Sequence, residues 1–333
     1  VNTEVKTENR NSGSKSEMAT GGGLLRTLGP HESLDIFDAN NLQMNDSYRA
    51  SCNAVIDRLV KFLQNNVPIK VKEVVKGGSL GKGTAVRDKS DIDLVLFLSD
   101  YHTVRSVKAD MTQLLATLEN YLGRYGGCRV VGSTKFSVQV DVSCHASHEH
   151  SVDILPACDA LGMHGTSAVY DEMARSEELR PYYSASLVKL QLNFVKVLPP
   201  KVMSLIRLVK HWRKSELPSD SGRSRWPTSY ILELIAIRKW EDAGRPERFD
   251  LKRGLHSFLK AIVNYRDLKV VWNGNYSSLN LQHRPPYVID PANPFNNVMD
   301  RCDVWDDVAR YARDALKWSL FRGLESTDTT RNW

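Results

Sequence analysis

The sequence predicts an α+β protein, a mixed α/β lobe followed by a mainly helical one. Two observations carry the prediction. Up to about residue 165 helix-period and strand-period segments alternate, and beyond it five helix-period apolar faces follow one another with only two short extended stretches between them. Composition agrees: 333 residues, 41% hydrophobic and 25% charged, with a net charge of +6, are ordinary for a globular chain of two domains. The densest apolar run, Leu94 to Leu98, is far shorter than the ~20 residues a membrane-spanning helix needs, so no membrane span is expected.

The elements read as follows. Residues 1–30 are rich in Ser, Thr, Asn, Gly and charge and are expected to be a disordered lead, with order beginning near Leu34. The first residue is Val rather than Met, which suggests a fragment or a processed start. A mixed α/β lobe is expected over 31–165, a helical lobe over 166–325 and a tail over 326–333. From Asp46, Tyr48, Cys52, Val55, Ile56, Leu59, Val60 and Leu63 recur at helical spacing up to the Asn65-Asn66 pair, with Asn45 or Asp46 as N-cap. Strands are expected at 71–75 and 92–98, a helix at 111–122, and strands at 136–142 and 152–155, the last stopped by Pro156. Helices follow at 187–197, 202–212, 230–240, 254–265 and 304–318, with extended chain at 270–272 and 287–289. Five scattered cysteines without a CxxC pair suggest a reducing, cytoplasmic setting.

The chemistry concentrates in Lys76-Gly77-Gly78-Ser79-Leu80-Gly81-Lys82-Gly83-Thr84 and the following Ser90-Asp91-Ile92-Asp93. A glycine turn lets the backbone approach a phosphate, and Ser79 can donate to its oxygens. A Walker A loop is excluded, because position 76 is Lys where Gly is required and position 83 is Gly where Ser or Thr is required. Asp91 and Asp93 lie two apart on a predicted strand, so both carboxylates point to one face, a geometry that suits Mg²⁺. A pair of ions needs a third carboxylate. Asp153, mid-strand between apolar neighbours, is favoured over Asp141, which lies near a strand end.

Gly78-Ser79, eleven residues, then Asp91-Ile92-Asp93-Leu94 resembles the signature of the polymerase β-like nucleotidyltransferases. The longer string KGGSLGKGTAVRDKSDIDLVLFLSD is similar to the 2'-5'-oligoadenylate synthases, as are VDILPACDALG, SLIRLVKHW, the Tyr-Ile-Leu-Glu-Leu helix from residue 230 and VIDPANPFNNV, all in the same order. This resemblance implies Asp91, Asp93 and Asp153 as ligands of two Mg²⁺ ions, with Mn²⁺ as a substitute. It also implies ATP as substrate, held by Gly78, Ser79, Lys82, Arg207, Lys210 and Tyr230. The reaction implied is attack of a 2'-hydroxyl on an α-phosphate with loss of pyrophosphate, in antiviral defence. Helix spacing gives Arg207, Lys210 and Lys214 one shared face, opposite an apolar stripe of Val202, Leu205, Ile206, Val209 and Trp212.

Between Lys189 and Arg225 nine basic residues face two acidic ones, a local net of +7 that exceeds the whole-chain +6. Clustering of this kind suits duplex RNA. The resemblance implies double-stranded RNA as activator, contacted by Arg49, Lys76, Lys196 and Lys201. The chain departs from vertebrate members at Leu192 and Pro200, where they have an arginine and a threonine, and at Ser229, where they have a glutamine. Weaker RNA binding or partial RNA independence is therefore expected. Cys144, His145, His148 and His150 crowd one connection, but their spacing matches no zinc module and no zinc is expected. The competing readings are a nucleic-acid sensor that makes a cyclic dinucleotide and a noncatalytic RNA-binding relative.

Overall fold

The computed structural model describes residues 24–87, 92–143, 149–219, 224–276, 283–324 and 333. Ordered structure begins earlier than the sequence predicts. Leu24–Thr27 (α1) is helical and its Leu25 is fully buried in the C-terminal core, so the end of the expected lead contributes a core side chain. Leu34–Phe37 (α2) follows, capped by Ser33, and runs into a single π turn at Asp38–Leu42.

The first lobe is built on five strands: Val71–Lys76 (β1), Ile92–Leu98 (β2), Cys128–Ser133 (β3), Val138–Ser143 (β4) and Glu149–Ala157 (β5). Their order is β1-β2-β5-β4-β3, with β2 and β5 parallel and the other neighbours antiparallel. Period-two alternation sorts β2 into two faces. Ile92, Leu94, Leu96 and Leu98 enter a core shared with Asp46–Asn66 (α3) and Val104–Leu122 (α5). Val95 and Phe97 face the other way, onto Val188 and Leu192. Asp93 belongs to that second face.

Several elements differ from the sequence expectation. The glycine-rich interruption holds a short helix, Gly78–Lys82 (α4), closed by Gly83 at φ 76°. Helix α5 begins seven residues before Met111, because the Thr103 hydroxyl accepts the Ser106 N–H at 3.1 Å and caps it there. Strand β3 and the helix Ala160–Arg175 (α6), capped by Asp159, were not expected. Pro156 does not stop β5. The β4 ladder ends at Ile154, so the proline falls where β5 pairs with β2 alone among the described residues, and its missing N–H leaves no gap on the β4 side.

The remaining helices are Tyr183–Ser186 (α7), Val188–Lys196 (α8), Pro200–Glu216 (α9), Ser229–Asp242 (α10), Leu251–Val263 (α11) and Trp305–Ala315 (α12). A small sheet of Lys269–Val270 (β6), Tyr287–Asp290 (β7) and Asn293–Asn297 (β8) completes the chain. Helix α9 carries the second core. Every residue from Ser204 to Trp212 is buried, so the expected basic face of Arg207 and Lys210 is interior. Among the described residues no helix is long and apolar enough to cross a membrane.

Candidate active site

Asp93 and Asp153 are register partners on the parallel pair β2 and β5, so the two half-buried carboxylates leave the same face side by side. Gln139, their neighbour on β4, donates from Nε2 to Asp153 Oδ1 at 3.1 Å. The glycine turn is seated on Asp93: the Gly77 N–H donates to the Asp93 carbonyl at 2.8 Å. Gly78 has φ +55°, and a Cβ there would lie 1.6 Å from Asp93 Oδ2. Both the backbone angle and the space therefore require glycine. Ser79 follows, half-buried, at the start of α4.

Asp91 lies outside the described residues, among which no cluster of three or more His, Cys, Asp or Glu groups fit to hold a metal is found. The donor set is nonetheless that of a hard cation. Two carboxylates share a face, and a glycine turn leaves beside Asp93 the space that a side chain would fill. Asp141 does not join them. It is held by Arg129 Nη2 at 2.5 Å and by the Ser151 hydroxyl at 2.8 Å. Cys144, His145 and His148 lie outside the described residues, and His150 is buried in β5 with its Nδ1 3.6 Å from Cys52 Sγ.

The basic residues predicted to hold nucleotide converge where α4 meets the helical lobe, but each is engaged by the chain itself. Lys82 Nζ lies 2.9 Å from Glu233 Oε1 and 3.9 Å above the Tyr230 ring. Lys210 Nζ donates to Thr84 Oγ1 at 2.6 Å and lies 3.0 Å from Glu233 Oε2. Arg207 makes a two-pronged bond to Asp38, Nε to Oδ1 at 2.8 Å and Nη2 to Oδ2 at 2.7 Å. Burial alone would raise the Glu233 carboxyl, but Lys210 and Lys82 outweigh it and bring it down to about 2. Burial depresses Lys210, with Glu233 opposing it. Burial, then the Asp290 and Glu233 carboxylates, push the Tyr230 hydroxyl well above its ordinary range, which keeps it a donor, and it bonds Asp290 Oδ1 at 3.0 Å.

Glu233, Asp38 and Gln139 were not singled out in the sequence. Glu233 left a signal, a lone acidic residue inside the apolar run from Ile231 to Ile237, where an unpaired charge is costly. Asp38 left none, because its partner Arg207 is 169 residues away.

The residues expected at RNA are divided. Exposed Arg49 and half-buried Lys76, whose Nζ bonds Asn53 Oδ1 at 3.0 Å, line one cavity of about 330 Å³ together with Gly83 and Arg207. Lys196 is exposed at the end of α8, and Lys201 is held by Asp35. Much of the +7 run is used inside the fold. Lys189 pairs with Glu73 at 2.7 Å, Arg213 donates to the Pro227 carbonyl at 2.7 Å, and Arg225 pairs with Asp303 at 2.5 Å. Leu192 is 5% exposed in the core behind Val95 and Phe97.

Comparison with known proteins assigns this architecture. The family described as nucleotidyltransferase domain matches residues 56–149, and that described as 2'-5'-oligoadenylate synthetase 1, domain 2, C-terminus, matches residues 164–333. The chain is 31% identical over 315 residues to 2'-5'-oligoadenylate synthase 3 of Mus musculus, covering 84% of itself and 27% of that protein. It is 29% identical over 314 residues to 2'-5'-oligoadenylate synthase 1A of the same organism, covering 82% of itself and 83% of that protein. It thus spans about a quarter of the longer relative. Among solved structures, an E. coli CdnC in complex with HORMA-deltaN matches with a TM-score of 0.57 at 20% identity, over 90% of this chain and 94% of that one. Terminal uridylyl transferase 4 of Trypanosoma brucei matches with a TM-score of 0.55 at 13% identity, over 86% of this chain and 96% of that one. These two likenesses show the nucleotidyltransferase fold alone. With the nucleotidyltransferase match on its first lobe and the synthetase match running through the whole of its second, the chain belongs to the 2'-5'-oligoadenylate synthase family.

Proposed function

We propose that this chain is a template-independent nucleotidyltransferase that joins ATP units through 2'-5' linkages, releases pyrophosphate and responds to double-stranded RNA in antiviral defence. The observation that carries the reading is the pairing of Asp93 with Asp153 in register on parallel strands, with the glycine turn seated against Asp93. Asp93 and Asp153, with Asp91, would hold Mg²⁺ or Mn²⁺, which when bound supplies charge neutralisation at the phosphoryl oxygens and lowers the pKa of the attacking hydroxyl. Gly78 and Ser79 offer backbone and hydroxyl donors to the phosphates. Gln139 steadies the Asp153 carboxylate from the neighbouring strand.

Lys82, Lys210 and Arg207 already hold Glu233 and Asp38, so contact with a phosphate through them exchanges an internal carboxylate for a nucleotide oxygen. Tyr230 presents its ring beside Lys82 and keeps its hydroxyl on Asp290. The RNA response would run through Arg49, Lys76, Lys196 and Lys201. A cytoplasmic setting belongs to the same reading, supported by five scattered cysteines without a CxxC pair.

The test is a synthesis assay with ATP and Mg²⁺, with and without duplex RNA, followed by analysis of the product linkage. 2'-5'-linked oligoadenylates are expected. A cyclic product, from ATP alone or with GTP, replaces this reading with the cyclic dinucleotide one, and RNA binding with no nucleotide product replaces it with the noncatalytic one. Asp93→Ala and Asp153→Ala are each expected to cut synthesis by roughly a hundredfold or more, the scale of losing one group that serves the charge of the transition state. Their circular dichroism spectra should match that of the parent.

A further inference from the structure

Asp290 ends β7 and is 1% exposed, yet nothing in the reaction described above uses it. Its carboxylate is filled by four donors from three parts of the chain. Oδ1 accepts the Tyr230 hydroxyl at 3.0 Å and the Ala292 N–H at 2.9 Å. Oδ2 accepts Gln191 Nε2 at 3.2 Å, from α8, and Asn296 Nδ2 at 3.2 Å, from β8. A carboxylate buried this deeply is tolerated only when its lone pairs are met, and here each oxygen has two donors. The group is therefore a socket rather than a reactive acid. What it fixes is α10: with its hydroxyl held at Asp290, the Tyr230 ring is set 3.9 Å below Lys82 Nζ, on the last residue of the glycine-turn helix.

We propose that Asp290 is a positioning residue for nucleotide binding, holding the Tyr230 side chain in the one orientation that places its ring against the glycine turn. The proposal rests on the reading of Tyr230 as a nucleotide contact. Asp290 itself touches no substrate. It ties the C-terminal hairpin and α8 to the first turn of α10, so that the nucleotide face of the helical lobe is set by residues far from it in sequence.

The test is calorimetric titration of the full chain with ATP and Mg²⁺, alongside KM and kcat. Asp290→Ala removes the acceptor for Tyr230 and is expected to weaken ATP binding about tenfold, the scale of one lost hydrogen bond to a charged group. Its KM should rise by more than its kcat falls. Asp290→Asn keeps an amide oxygen facing the hydroxyl, while the Gln191 and Asn296 amides can turn to meet its NH₂, so affinity should stay within about threefold of the parent. Tyr230→Phe should weaken binding as much as Asp290→Ala does, and the double variant should be no weaker than either. Additive losses in the double variant, or an Asp290→Ala protein that binds ATP as the parent does, overturn the proposal. If Asp290→Ala does not fold, Tyr230→Phe against Asp290→Asn decides: a tenfold weakening in the first with none in the second supports it, and equal affinities overturn it. A parent protein that binds ATP but makes no 2'-5' product overturns the synthase reading, while the affinities of the variants still judge Asp290. A parent that binds no ATP overturns both.

Discussion

Glu233 shows how much of a site can rest on one buried charge. It is 1% exposed and is the shared partner of Lys82 and Lys210, so replacing it leaves two interior ammonium groups without their counterion. Glu233→Gln is expected to lower stability at pH 7 by about 3–5 kcal/mol, the scale of breaking a buried ion pair from one side. The sign of its pH dependence follows from the depressed carboxyl. A group at about 2 in the folded chain against an ordinary 4.5 stabilises the fold above 4.5 and loses that contribution as pH falls through the interval. The gap between parent and Glu233→Gln in urea unfolding should therefore shrink by about half by pH 3. A gap that stays constant down to that pH would show that Glu233 is not ionised against the lysines. At this scale the sequence was legible where spacing alone determines geometry. Strand periodicity placed Asp93 and Asp153 on strands, where the structure sets them in register on one face. Asp38 and Glu233 were not assigned, because a partnership across 169 or 151 residues leaves no local pattern.

Elements were legible in proportion to how much of their stability is local. Helix α3, with an Asn45 cap and a continuous apolar stripe, lies where spacing predicts it. Helix α4 was hidden, because four glycines in nine residues read as a turn, and its short helix is held by the seat against Asp93 rather than by propensity. Strand β3 was hidden as well: its ladder to β4 and its half-exposed alternation supply the pairing that Cys128–Ser133 does not advertise by itself. Gly78→Ala tests the seat directly. A methyl 1.6 Å from Asp93 Oδ2 on a backbone at φ +55° must displace the carboxylate, so activity should fall far more than stability, which strain of this kind lowers by about 1–3 kcal/mol. Measured turnover near that of the parent would mean that Asp93 does not need its present position. Helix α8 carries a second test. Leu192 packs behind Val95 and Phe97 beneath the glycine turn, so Leu192→Arg would bury a guanidinium in an apolar cluster. A loss of about 3 kcal/mol or more, with no gain in affinity for duplex RNA, is expected; tighter RNA binding at unchanged thermal stability would show that this face opens to solvent.

Across the whole molecule, much of the basic charge is met by acidic partners of the chain itself, with Lys82, Lys189, Lys201 and Arg207 pairing across the two lobes. The +7 between Lys189 and Arg225 suggested a phosphate surface, but Lys189, Lys201, Arg207, Lys210 and Arg225 each have an acidic partner within the fold. A residue count cannot separate a cation facing solvent from one facing Asp38, since both add one to the sum. For the proposed RNA response this matters quantitatively. Of the four candidate contacts, Arg49 and Lys196 are exposed, Lys76 lines a cavity with Arg49, and Lys201 is shared with Asp35. Each phosphate neutralised contributes close to one to the slope of log affinity against log salt. Binding of duplex RNA measured between 50 and 200 mM salt should therefore give a slope of about −3, a weak dependence that costs far less affinity than the thousandfold or greater loss of a protein with six or more phosphate contacts. Lys196→Glu should make that slope shallower by about one unit, because one exposed contact is removed. A parent slope of −6 or steeper would mean that the internally paired lysines and arginines release their carboxylates when RNA binds. In that case the interlobe pairs of Glu233 and Asp38 would have to open together with RNA binding, and Glu233→Gln would alter RNA affinity as well as stability.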